Sequence, residues 1–144
     1  MLMKKYQSKT IVKTLPFNIQ RIWEVVTTPE LQVKWRKKVT SVKMLSSKEF
    51  EEVIEGGFVI KFKETKKEKF SQYNLEFDSK MFEGYWVGLF KKIGENETEV
   101  SFTENSYVKN PFLRFITKFS PYLNSFIQEY IEELNHHLEL ENKN

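Results

Sequence analysis

One feature constrains this chain more than any other: a long helical stripe at its C-terminal end that follows a series of short alternating segments. From Asn110 to about Leu140 large side chains recur at helical spacing, through Phe112, Phe115, Ile116, Phe119, Leu123, Phe126, Ile127, Tyr130, Ile131, Leu134 and Leu138. Almost everything from Glu49 to Tyr107 alternates with period two instead. A terminal helix of that width must lie on a sheet, and such an arrangement often encloses a cavity.

The 144 residues suit one domain, expected to span 1–144. The interior is aromatic, with 13 Phe, 6 Tyr and 3 Trp. No cysteine is present, which excludes disulfides, thiol chemistry and Cys-based zinc sites. The first ten residues, MLMKKYQSKT, contain no apolar h-region, and no apolar run approaches the roughly 20 residues a membrane span needs. The expectation is a cytoplasmic protein without stable membrane insertion, a monomer or a homodimer. A net charge of +3, from 23 basic and 20 acidic residues, gives no reason to expect a nucleic-acid partner. The cluster Lys34, Arg36, Lys37 and Lys38 around Trp35 reads as a solvated turn before a strand rather than a phosphate or lipid-headgroup contact.

Punctuation sets the elements. Tyr6 to Leu15 reads as a strand ended by Pro16, after which Asn18 is placed to cap a helix. That helix buries Ile19, Ile22, Trp23 and Val26 on one face, with Phe17 and Ile22 spaced as a hydrophobic staple. Thr28-Pro29 starts a second, short helix ending near Trp35. Strands are expected at Val39 to Leu45, Glu49 to Ile54, Phe58 to Glu64, Phe70 to Phe77, Phe82 to Ile93 and Thr98 to Tyr107. Gly56-Gly57 supplies a tight hairpin turn. Alternation puts Phe58, Ile60, Phe62, Tyr73, Leu75, Phe77, Val100 and Phe102 on the buried face. Phe82, Trp86 and Phe90 are assigned to that face too, with Gly84 and Gly88 leaving room for bulky neighbours. Asn110-Pro111 starts the final helical region, Ser120-Pro121 breaks it, and the long regular part runs from Pro121 to about Leu140.

The order strand, two short helices, six antiparallel strands and one long helix is the helix-grip arrangement: an α+β fold of about seven strands curved around a C-terminal helix. The run LPFNIQRIWEVVTTPELQVKW resembles the opening of the START-like, Bet v 1-like superfamily, which includes polyketide cyclase/dehydrase-like and coenzyme Q-binding proteins. Ile22-Trp23, Thr28-Pro29, Trp35 with Val39 and Val42, Gly84 with Trp86, and TEVSF at Thr98 to Phe102 carry the likeness. It implies a lipid, sterol, polyketide, quinone or hormone bound between sheet and helix, and members act as enzymes, carriers or co-chaperones. Its motifs are packing and capping residues, so they carry no shared catalytic signature.

Direct chemistry is sparse. His136 and His137 stand roughly 100° apart on a helix and cannot readily share an ion, no HExxH or acidic loop suggests a metal, and no cofactor motif occurs. Glu104 continues the inward alternation of Val100 and Phe102, so its carboxyl must be paired, hydrogen-bonded or protonated, or else lie at a rim facing water. It is the tentative catalytic or ligand-anchoring residue, and Glu52 between Phe50 and Ile54 raises the same question. The expected cavity lining is Trp35, Phe62, Tyr73, Phe77, Trp86, Phe102, Phe126 and Tyr130 with Glu104, suited to a small hydrophobic molecule. The leading reading is a carrier or sensor of such a molecule. The alternatives are a cyclase/dehydratase-type enzyme using a cavity carboxylate, and a protein- or membrane-interaction module without a ligand.

Overall fold

The structure is a computed structural model that describes residues 4–117 and 122–142, with side chains omitted for 116–117 and 122–125. Seven antiparallel strands form one sheet in the order β1-β7-β6-β5-β4-β3-β2. Their ranges are β1 Gln7–Leu15, β2 Val39–Met44, β3 Glu49–Ile54, β4 Phe58–Glu68, β5 Gln72–Asp78, β6 Phe82–Gly94 and β7 Glu97–Val108. Helix α1, Ile19–Thr27, follows β1; a 3-10 turn at Pro29–Leu31 leads into α2, Gln32–Trp35. After β7 come α3, Pro111–Thr117, and α4, Tyr122–Asn142. The expected break at Ser120-Pro121 lies outside the described residues.

Local chemistry accounts for these boundaries. Asn18 caps α1, its side-chain oxygen accepting from the N–H groups of Gln20 at 2.8 Å and Arg21 at 3.3 Å. Asn110 does the same for α3, accepting from Phe112 and Leu113 at 2.9 and 3.1 Å. Thr28 differs from expectation: its side chain makes no capping bond, and Pro29 opens the tighter 3-10 turn before α2. Gly56 and Gly57 turn the β3–β4 hairpin at φ +90° and +80°, where a side chain would be strained. Strand β4 runs four residues beyond its expected end, to Glu68, because a register shift between Glu64 and Lys66 lets the charged tail keep pairing with β5.

Register decides what faces α4. Ile11, Phe102, Gly88 and Tyr73 align across β1, β7, β6 and β5, and Val100 pairs with Phe90. These residues pack with Ile127, Ile131, Leu134 and Leu138 of α4 and with Ile22, Trp23 and Val26 of α1 in one cluster. Burial of this many apolar side chains is the main stabilising contribution. Gly84 and Gly88 let rings cross β6. A methyl group at Gly84 would stand 1.9 Å from the Asn105 carbonyl oxygen and 2.7 Å from Phe77 Cζ; one at Gly88 would stand 2.6 Å from the Trp86 ring.

Candidate functional site

The sheet's inner face divides into two halves. One half is closed: Leu15, Val100, Phe102, Ile131, Leu134 and Leu138 are each 0% exposed. The other half, toward the β3–β4 and β5–β6 hairpins, carries Phe58, Phe62, Phe82, Trp86, Glu104, Phe126 and Tyr130, all only half-buried. The rings of this half interlock. Phe62 stacks on Phe50 at 5.0 Å, Phe82 meets Phe58 at 5.7 Å and Phe77 at 5.9 Å, and Tyr130 meets Trp86 at 5.8 Å and Trp35 at 4.9 Å. Half-burial of so many aromatic side chains leaves part of an apolar wall open on this side of the sheet.

Polar groups are set into this wall in three places. The first is an ion pair: Glu52 is 2% exposed, and Arg36 Nη1 donates to both of its carboxylate oxygens at 3.0 Å. Gln32 also accepts from Arg36 Nη1 at 3.4 Å, and the guanidinium lies 5.5 Å from the centre of the Tyr130 ring. Arg36 therefore leaves the solvated basic cluster in which the sequence reading placed it and turns inward. The alternation Phe50, Glu52, Ile54 already demanded a cation for Glu52; what the sequence did not show was that α2 would deliver one.

Next come the phenols. Tyr73 is 2% exposed, and burial together with the nearby Glu64 and Glu52 carboxylates pushes its hydroxyl well above the ordinary value. Burial raises Tyr130 likewise, opposed by the Arg36 charge. Both phenols stay protonated at neutral pH and can donate. Neither makes a hydrogen bond to another described residue.

The third is Glu104. It sits on the inner face of β7, opposite Trp86 on β6 and Lys9 on β1. It forms no hydrogen bond or ion pair among the described residues, and Lys9, half-buried on the same face, does not reach it. Desolvation raises its carboxyl from 4.5 to about 7, and the Arg36 charge only partly offsets this. At neutral pH Glu104 is thus divided between an acid that can donate and a carboxylate that can accept. The indole N–H of Trp35 is a further donor in this region, fully buried without a partner.

The expected lining residues all come from this inner face or from the α2–α4 contact beside it. Phe62, Trp86, Glu104, Phe126 and Tyr130 border the open half. Tyr73 and Phe77 are buried beside them, Phe102 belongs to the closed half, and Trp35 of α2 packs edge-on against Tyr130. Sequence reasoning missed Arg36, Gln32 and Lys9, the polar residues that share this region.

The histidines lie elsewhere. His136 and His137 line a surface groove of about 530 Å³ between α4 and the α2–β2 turn, and His137 Nε2 is 3.0 Å from Glu141. Among the described residues no group of three or more His, Asp or Glu is placed to hold a metal ion, and no helix is long and apolar enough to cross a membrane.

No family model matches the chain, and no curated protein matches it by sequence. Solved structures do. A START superfamily protein from Mycobacterium smegmatis superposes with a TM-score of 0.79 at 12% identity, over 92% of this chain and 97% of that one. The ZhuI aromatase/cyclase from Streptomyces sp. R1128 gives 0.77 at 8% identity, over 93% and 94%. A norcoclaurine synthase point mutant from Thalictrum flavum, in complex with a transition-state analogue, gives 0.72 at 10% identity over the whole of both chains. The chain has the helix-grip fold of START-like and Bet v 1-like proteins.

Proposed function

We propose that the protein binds a small, predominantly apolar molecule in the open half of the inner face, with Glu104 and the Tyr130 hydroxyl orienting it. One observation carries the reading: an unpartnered carboxyl, raised to about 7, set among half-buried aromatic side chains while the rest of the same face is packed shut. A carboxyl left without a partner beside apolar walls is costly unless something fills the space and meets it. The fold likeness supports the reading, since ligand complexes are formed by proteins of this architecture. The ligand's chemistry follows from the wall: flat or bulky, with one or two groups able to meet a carboxylic acid and a phenol.

A second reading rests on the same carboxyl. A Glu that titrates near neutrality can both take and give a proton, as a general acid–base catalyst of cyclisation or dehydration requires, and a second donor, the phenol of Tyr130, belongs to a ring in contact with Trp86, the residue opposite Glu104. The two readings share the site and differ in turnover.

The test is a fluorescence titration with N-phenyl-1-naphthylamine, a neutral apolar probe. We expect saturable one-to-one binding that Trp86→Ala weakens at least tenfold. Binding should weaken from pH 6 to pH 8 in the natural protein and stay level in Glu104→Gln. Absence of saturable binding, or affinity indifferent to both substitutions, overturns the proposal.

A further inference from the structure

A second apolar feature lies just outside the open half of the inner face. Phe112 and Phe115 of α3 are 71% and 66% exposed, and at three residues' separation they project about 60° apart, toward one side of the helix. Met81, in the β5–β6 turn, is 48% exposed and belongs to the same rim, because the Lys109 N–H donates to the Met81 carbonyl at 2.9 Å. Lys109 Nζ ties the two segments further, donating to Asp78 at 2.6 Å and to the Ser79 carbonyl at 2.7 Å. Arg114 braces α3 from beneath. It donates to the Val108 and Lys109 carbonyls at 2.8 and 3.0 Å, and its guanidinium lies 4.2 Å from the centre of the Tyr107 ring. The aromatic tips are therefore presented on a fixed platform.

The charge around them is mostly positive. Across residues 78–81 and 109–117 the chain carries Lys80, Lys109 and Arg114 against Asp78 alone. Large apolar tips ringed by an excess of cations complement one kind of partner, the headgroup and upper acyl region of an anionic bilayer. A protein partner that buried this patch would have to leave the Lys80 charge unpaired or supply a carboxylate for it. A bilayer accepts rings and lysines together.

We infer that α3 and the Met81 turn form a peripheral docking surface for anionic lipid membranes. The surface is continuous with the open half: Phe82, next to Met81, pairs with Val108 and touches Phe58 and Phe77 on the inner face. A docked molecule therefore presents its open half to the lipid phase, where apolar ligands partition. Docking itself requires nothing of the proposed ligand site.

Co-sedimentation with sucrose-loaded phosphatidylcholine vesicles, with and without 30 mol% phosphatidylglycerol, tests this at about 50 mM salt. The positive excess around the patch predicts a several-fold or greater preference for the anionic vesicles. Phe112→Ser with Phe115→Ser should lower that binding at least tenfold. Lys80→Glu should lower it several-fold, and circular dichroism spectra of both variants check that the fold is kept. Failure of the natural protein to bind anionic vesicles overturns the inference, as does binding indifferent to the paired Phe substitution. Concentration-dependent dimerisation abolished by that same pair would assign the patch to a second copy and overturn it equally. Probe binding on the inner face by the paired variant remains intact on this account, so failure here is distinguishable from failure of the ligand reading.

Discussion

Replacing Arg36 by Met isolates the buried ion pair of the inner face. The substitution keeps an unbranched side chain of similar reach but removes the one cation bonded to Glu52 among the described residues; the Glu52 side chain is 3% exposed. Removing one partner of a buried pair costs about 3–5 kcal/mol, mostly from the charge left behind. The Arg36 side chain is itself 26% exposed, so water can relieve part of that cost and the low end, about 3 kcal/mol, applies. For a domain of this size that is a fall of about 10 °C in Tm. Adding Glu52→Gln removes the stranded charge. The double variant should recover most of the loss and keep a deficit of about 1 kcal/mol, the worth of the guanidinium packed on the Tyr130 ring. Urea unfolding followed by tryptophan fluorescence reads both quantities. A single-variant loss below about 1 kcal/mol, or a double variant no more stable than the single, would refute the claim that Arg36 exists to compensate Glu52.

Three further outcomes follow. Glu104 has a folded-state value of about 7 against 4.5 ordinarily, so between those limits the folded chain holds a proton that the unfolded chain has released. Its contribution to stability therefore falls as pH rises through that window. Glu104→Gln should flatten the slope and be the more stable form above pH 7 by on the order of 2 kcal/mol; parallel urea curves at pH 5 and pH 8 that show no difference would contradict the burial argument. Gly88→Ala places a methyl group 2.6 Å from the Trp86 ring, which must swing away, so near-ultraviolet circular dichroism and probe affinity should change together. Asn18→Ala removes the α1 cap and should cost about 1 kcal/mol in the same urea assay, with probe affinity unchanged.

The fold was largely legible because its signals are local. Asn18, Asn110 and Gly56-Gly57 announce caps and a turn by their own chemistry, and the alternation of Tyr73, Leu75 and Phe77 or of Val100 and Phe102 declares which face is buried. Glu104 could be singled out for the same reason: alternation alone carried it inward. Arg36 could not, because its inward turn depends on how α2 is set against β3, a relation between segments 16 residues apart. The split of the inner face into a closed and an open half was equally hidden. Phe102 and Trp86 are similar in sequence context, yet one is fully buried and the other half-buried, since α4 packs Ile131, Leu134 and Leu138 against only one end of the sheet. Thr28 shows the reverse error, a capping signal in sequence that the 3-10 geometry leaves unused.

The central claim, that the open half of the inner face is a ligand site, is tested most directly by mapping backbone and aromatic NMR shift changes as N-phenyl-1-naphthylamine is added. The account predicts changes concentrated at Phe58, Phe62, Trp86, Glu104 and Tyr130, with Val100, Leu134 and Leu138 undisturbed. Changes centred on the α2–α4 groove around His136 and His137, or spread evenly over the sheet, would contradict it.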